Sequence, residues 1–271
     1  MTASKEISFV SLDRAKTVAL PNAEALSTDL LYRTGQHKPA VDLDRVISLW
    51  SDLALVREVL DGDGYLVDLG AHGAEIIVAA HGNRRRTRYT IAHELGHWML
   101  RLEQVNNPLA CGTQSRSSVV EKWCDLFAAS LLMPAAWLRS DLRIAKLLGL
   151  PSYLLHGYKT YDVSEQAFWL RISQVTPLSI FKVRMTERHI HITEKYESPN
   201  VRQADLKRAL EVFSSTVVTD ARPHLDSDTN FVGIAAVYQE SEDKGTHMLC
   251  IFPRRQKTEK WKLDGFKERK K

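Results

Sequence analysis

The chain has 271 residues, of which 44% are hydrophobic and 26% charged, so it is long and apolar enough for one large domain or two smaller ones. No apolar run reaches the length of a membrane span and Met1–Val10 lacks the apolar core of a signal peptide, which excludes a spanning protein and points to the cytoplasm. Three widely spaced cysteines, Cys111, Cys124 and Cys250, exclude a disulfide framework, and the net charge of +4 is smaller than the local excess carried by the last eighteen residues.

Residues up to about Gly35 read as helical. Leu12 to Leu20 stops at Pro21, and Asn22 is placed to cap a second helix that ends near Gly35. Asp42 to Trp50 reads as another helix. Leu53 to Leu60, Tyr65 to Leu69 and Glu75 to Ala80 then read as three short strands, with Asp61-Gly62-Asp63-Gly64 as a hairpin turn signal between the first two. The third strand runs through His81-Gly82-Asn83 into a helix, and an exposed edge of the sheet could pair with an extended peptide.

That helix carries Tyr89-Thr90-Ile91-Ala92-His93-Glu94-Leu95-Gly96-His97-Trp98-Met99-Leu100. Residues four apart share a helix face, so His93 and His97 can offer ring nitrogens to one metal ion. Glu94 lies one step round, where its carboxylate reaches a water at the metal without being a ligand, the position of a general base. Ile91, Leu95, Met99 and Leu102 form a separate apolar stripe, so packing does not explain the histidines. A catalytic zinc takes three protein groups and keeps one position for water, so a third ligand is expected from a second element. Glu121 is the best candidate. It opens an amphipathic helix, Glu121 to Pro134, whose buried stripe is Val120, Trp123, Phe127 and Leu131. Asp125, one turn on, can accept the second ring N–H of a ligating histidine and fix its tautomer. Tyr89, His72 and His81 are all candidates for the oxyanion partner.

His93-Glu94-Leu95-Gly96-His97, followed by Glu121-x-x-x-Asp125-x-Phe127-Ala128-Ala129-x-Leu131-Leu132-Met133-Pro134, resembles the ImmA/IrrE family of bacterial metallopeptidases. The resemblance covers roughly residues 35–150 and includes the approach Arg84-Arg85-Arg86-Thr87-Arg88. It implies zinc held by His93, His97 and Glu121, with Glu94 as base. Asp125 stands where the family more often has Asn, which keeps a hydrogen-bond acceptor. The resemblance also implies a helix-turn-helix repressor as substrate or partner in stress and mobile-element responses.

Cys111 lies in the loop Asn106 to Thr113 between the two ligand-bearing helices, with Pro108 and Gly112 as turn residues. A thiolate is a strong zinc ligand, so Cys111 is a candidate fourth ligand that holds the enzyme at rest, beside the plainer reading of an ordinary loop cysteine. Similarity to the CapP-type proteases that accompany repressors in CBASS anti-phage operons implies this kind of inhibition. Cys124, about 300° round the helix from Glu121, is the poorer candidate.

Pro134 suits the first turn of a helix to about Leu148, which Gly149 and Pro151 end. Asp162-Val163-Ser164-Glu165 is a capping signal for Gln166 to Gln174, and Val163 to Arg171 reads either as a loose helix-turn-helix or as a plain supporting helix. Beyond Met185, Ile190 and Ile192 alternate with His189 and His191 as a strand, Val201 to Val212 reads as a helix, and Phe231 to Tyr238 and Met248 to Phe252 read as strands of a small α/β module. The resemblance implies a GAF-like sensory domain here.

The tail from Arg254 holds nine basic and three acidic residues, a local +6 against +4 for the whole chain, which leaves −2 elsewhere. Arg254, Arg255, Lys257, Lys260, Trp261 and Lys262 interleave charge with an aromatic ring. They are candidates for binding single-stranded DNA, the other reading being a solvated tail.

The expected fold is therefore α+β. A zincin-like catalytic domain of gluzincin type spans residues 1–150, a helical linker 151–184 and a smaller C-terminal α/β domain 185–271. The expected function is that of a zinc-dependent endopeptidase cleaving a helix-turn-helix repressor. The alternative is a non-proteolytic, metal-containing, nucleic-acid-binding regulator, against which stands Glu94, a carboxylate that a purely structural site does not need.

Overall fold

The structure, a computed structural model, describes residues 20–103, 118–148, 150–176, 178–185, 190–197, 223–225, 231–239 and 245–253. The expected helices at Leu12–Leu20 and Val201–Val212 lie outside the described residues, as do Cys111, His189 and the basic tail with Arg254, Arg255, Lys257, Lys260, Trp261 and Lys262. The chain forms two compact units, 1–137 with 159–164, and 138–158 with 165–271. It therefore passes between them three times. No helix among the described residues is long and apolar enough to cross a membrane.

In the first unit, α1 (Ala23–Arg33) starts where Asn22 Oδ1 accepts from Ala25 N at 3.1 Å. The short α2 (Leu43–Ile47) is capped in the same way by Asp42, whose Oδ1 accepts from Arg45 N at 3.1 Å. Each cap satisfies an amide that the first turn of a helix cannot. Three strands follow, β1 (Leu53–Glu58), β2 (Gly64–Asp68) and β3 (Ala74–Ala79), and their spatial order is β1-β3-β2.

This order corrects the expected hairpin at Asp61-Gly62-Asp63-Gly64. β1 pairs with β3 in parallel, Leu53 opposite Ala74, and the hairpin is instead β2–β3, antiparallel, with Leu66 opposite Ile76. The reason lies in β3, whose Ile76-Ile77-Val78 run is buried, as a central strand covered on both faces must be. The half-exposed β1 and β2 take the edges. Gly73, at φ +95°, closes the hairpin turn against Asp52, whose carbonyl accepts from Ala74 N at 2.8 Å. A Cβ at Gly73 would lie 1.9 Å from that oxygen, so only glycine fits.

The long helix α3 (Arg84–Glu103) packs on β2 and β3, and α4 (Ser118–Leu132) contacts both α1 and α3. Ile91, Leu95 and Met99 are buried as their spacing requires, but Leu102 is not. Trp98 takes its place in the core, edge-on to Trp50 at 6.5 Å. From α4, Trp123 and Phe127 are buried and stacked at 5.4 Å, and Trp123 Nε1 donates to Pro21 O at 2.6 Å. Each such large side chain contributes about 1.5–3 kcal/mol through burial, which holds α4 in place beside α3.

Arg84 to Arg88 form the first turn of α3 and not an approach to it. Asn83 Oδ1 accepts from Arg85 N at 3.0 Å and from Arg86 N at 3.3 Å. Four arginines at the positive end of a helix dipole are unfavourable by themselves, on the order of 0.3–1 kcal/mol each where exposed. Asp162 offsets this, at 2.9 Å from Arg84, 3.7 Å from Arg85 and 3.4 Å from Arg88, while Asp63 meets Arg86 at 2.6 Å. Burial pushes the Arg88 guanidinium below its usual value, with Asp162 opposing, and Arg88 Nη2 also donates to Val41 O at 2.7 Å. Asp162 sits at φ +52°, a conformation Asp tolerates better than most side chains. Replacement by alanine is expected to cost about 1–3 kcal/mol, chiefly through the buried Arg88, and to lower the midpoint of chemical unfolding. Asp162→Asn, which keeps the backbone preference, isolates the charge. An unchanged midpoint in both variants would show that the clasp does not stabilise the fold.

Two more helices connect the units, α5 (Ala135–Leu148) and α6 (Leu150–Tyr161). α5 ends at Leu148, where the sequence places its end, and Pro151 lies in the first turn of α6, where its missing N–H costs no hydrogen bond, so the chain resumes at once as a helix. In the second unit, α7 (Glu165–Val175) buries Phe168, Trp169, Arg171 and Ile172. Trp169 Nε1 donates to Leu154 O at 2.8 Å, and its ring meets Tyr196 edge-on at 5.8 Å. The five strands β4 (Ser179–Met185), β5 (Ile190–Tyr196), β6 (Pro223–Leu225), β7 (Phe231–Gln239) and β8 (Gly245–Pro253) make one antiparallel sheet in the order β5-β4-β8-β7-β6. The molecule is thus mixed α and β.

Candidate metal centre

The site forms where α3 and α4 lie side by side. The ligand-capable atoms of His93, Glu94 and His97 fall within 4.8 Å of one another. From α4, the two oxygens of Glu121 divide between the histidines. Oε2 lies 3.2 Å from His93 Nε2 and Oε1 lies 3.5 Å from His97 Nε2. The two Nε2 atoms therefore each face one oxygen of the same carboxylate. Glu94 is 3% exposed and Glu121 is half-buried, so the two carboxylates lie in different surroundings.

Behind the histidines, α4 supplies further partners. Asp125 Oδ1 lies 3.0 Å from His93 Nδ1, and the Tyr89 hydroxyl donates to the same oxygen at 3.2 Å and to the Asp125 carbonyl at 3.4 Å. Burial, and then the Asp125 charge, raise the Tyr89 phenol well above its usual range, so it stays a donor. Tyr89 thus positions Asp125, which in turn orients His93. Of the other two oxyanion candidates, His72 and His81 are exposed in the turns before β3 and α3, and among the described contacts neither joins the cluster.

Sequence reasoning passed over Cys124, which is fully buried with Sγ 3.4 Å from His97 Nδ1. The signal was present. A rotation of 300° from Glu121 leaves Cys124 only about 60° away on the other side, beside the ligand face and not opposite it. Gly96 makes the contact attainable, because a Cβ there would stand 3.2 Å from Cys124 Cα and 3.3 Å from Phe127 Cδ1. Glycine lets α3 and α4 approach closely.

Arg101 was also missed. At the far end of α3 its guanidinium donates to Gly73 O at 2.9 Å and Gly70 O at 2.6 Å, pairs with Asp68 at 3.0 Å and lies over the Trp98 ring. It ties the β2–β3 turn to the helix that carries both histidines. Chemically, two imidazoles and a carboxylate form a donor set that suits a borderline-soft divalent cation such as zinc. A second carboxylate, buried and adjacent, is suited to moving a proton.

Residues 55–144 match the family model of the IrrE N-terminal-like domain, peptidase family M78. No curated protein matches the chain. Among solved structures, a Mycobacterium tuberculosis transcriptional regulator is similar over 85% of this chain and 75% of its own, at 14% identity and a TM-score of 0.48.

Proposed function

We propose, from the match of residues 55–144 to the model of the IrrE N-terminal-like domain, that the chain is a zinc-dependent endopeptidase of gluzincin type whose substrate is a helix-turn-helix repressor. The observation that carries the reading is the convergence of His93 Nε2 and His97 Nε2 on the two oxygens of Glu121, with Glu94 buried beside them.

His93, His97 and Glu121 hold the metal in this reading. When bound, zinc supplies a Lewis acid that polarises a carbonyl and acidifies water. Glu94 takes a proton from the attacking water and returns it to the amine that leaves when the C–N bond breaks. Asp125 keeps the His93 proton on Nδ1 and so leaves Nε2 as the donor. An exposed edge, β1 or β2, accepts the substrate as an added strand, for which main-chain hydrogen bonds provide affinity. The repressor and the GAF-like sensory role of residues 185–271 rest on the family resemblance, and the cytoplasmic setting rests on the lack of a long apolar run and on three widely spaced cysteines.

Two further elements of the proposal concern residues outside the described ones. Cys111 is the resting-state ligand of a cysteine switch. Cys111→Ala is accordingly expected to raise cleavage measured without any activator, and an unchanged basal rate would dispose of the switch. The tail residues Arg254, Arg255, Lys257, Lys260, Trp261 and Lys262 bind single-stranded DNA and stimulate proteolysis in a stress, DNA-damage or anti-phage response.

The test is to mix the purified full chain with helix-turn-helix repressors encoded beside its gene, with and without single-stranded DNA. Zinc-dependent scission that a chelator stops, and that DNA accelerates, is the expected result. Intact repressors under every condition, with zinc bound, would instead favour a non-proteolytic metal-containing regulator.

A further inference from the structure

The two histidines are held from behind by different atoms, and the difference has a chemical consequence. A neutral imidazole carries its proton on one nitrogen only, so a histidine that gives Nε2 to a metal must keep the proton on Nδ1. For His93 the partner is the Asp125 carboxylate, which when ionised can only accept. For His97 the partner is sulfur, which both donates and accepts weakly. An S–H donating to Nδ1 would leave the proton on Nε2 and close that nitrogen to a metal. Nδ1–H donating to Sγ opens it.

We propose that Cys124 is the positioning residue for His97, accepting its Nδ1 proton and thereby setting the affinity of the site for zinc. The proposal rests on the metal-centre reading above. Three observations carry it. Sγ stands 3.4 Å from Nδ1, within the range of a hydrogen bond to sulfur. Its side of the ring is opposite to Nε2, which lies 3.5 Å from Glu121 Oε1, so Cys124 orients the ligand and is not one itself. Gly96 brings α3 and α4 close enough for so short a side chain to reach the ring, and full burial of Cys124 keeps water from competing for the contact. One helix, α4, therefore provides a ligand at Glu121 and, three and four residues on, the partners of both histidines.

The test compares Cys124→Ala, Cys124→Val and Cys124→Ser with the unaltered protein in three measurements. These are the zinc dissociation constant by chelator competition, the unfolding midpoint of the metal-free chain, and the His97 Nδ1–H proton resonance of the zinc-loaded protein. Loss of an outer partner weakens zinc binding by about 10–100-fold, which is expected for Ala and for Val, although Val fills the same space. Ser, which retains an acceptor, is expected closer to the unaltered protein, and the proton resonance is expected to move upfield in Ala and Val alone. A packing role would lower the unfolding midpoint but leave the dissociation constant and the resonance in place, which would overturn the proposal. Should Ala and Val fail to fold, the resonance in the unaltered and Ser proteins decides, since a proton there without a hydrogen bond to sulfur refutes it. If the unaltered chain takes up no zinc, it is the metal-centre reading that falls.

Discussion

Glu94→Gln is expected to reduce repressor cleavage by about 10²–10⁴-fold while leaving zinc content and the unfolding midpoint close to those of the unaltered protein. Glutamine has almost the shape of glutamate, so the 3%-exposed site between α3 and its neighbours refills without a cavity. It cannot accept a proton from water, and so has none to return to the leaving amine, the two tasks the proposed mechanism gives this residue. The result that decides is the combination. A Glu94→Gln protein that binds zinc and cleaves at the normal rate would remove Glu94 from the chemistry, and one that loses zinc would make Glu94 a ligand, in line with its place within 4.8 Å of both histidines. Glu121 is preferred as the ligand because its two oxygens face both Nε2 atoms at 3.2 and 3.5 Å.

His93→Ala and Glu121→Ala are expected to abolish stoichiometric zinc binding, and cleavage with it. A structural zinc site binds with an apparent 10–16 kcal/mol, so losing one of three or four ligands costs on the order of 3–5 kcal/mol, or roughly 10²–10⁴-fold in affinity. Elemental analysis of the purified variants reads the loss directly. The metal-free fold should persist, because Leu95 and Phe127 are fully buried and α3 approaches α4 closely at Gly96, none of which needs His93 or Glu121. Zinc retained at one per chain in Glu121→Ala would refute the assignment of the third ligand.

How far these features were legible follows from the range of the interactions that produce them. The pair His93/His97, the carboxylate of Glu94 beside it and the cap at Asn22 depend on neighbours no more than four residues away, and the chain order by itself determines these. The same holds for the stripe Ile91, Leu95 and Met99, up to the last turn, where Trp98 outcompetes Leu102 because its partner is Trp50, from a distant segment. Even Glu121 and Asp125 were legible, since helical spacing relates them to each other once a second helix is supposed.

What only the tertiary structure decided is which surfaces meet. The strand order β1-β3-β2 replaced the expected hairpin because burial on both faces sends Ile76-Ile77-Val78 to the centre, a competition among three strands that no local turn signal encodes. Asp162 reaches Arg84, Arg85 and Arg88 across more than seventy positions of chain, and only folding reveals that it serves the first turn of α3. Cys124 belongs to the same class. Its spacing from Glu121 puts it near the ligand face, but its contact with His97 depends on how closely two helices approach, and Gly96 sets that distance through the atoms it lacks.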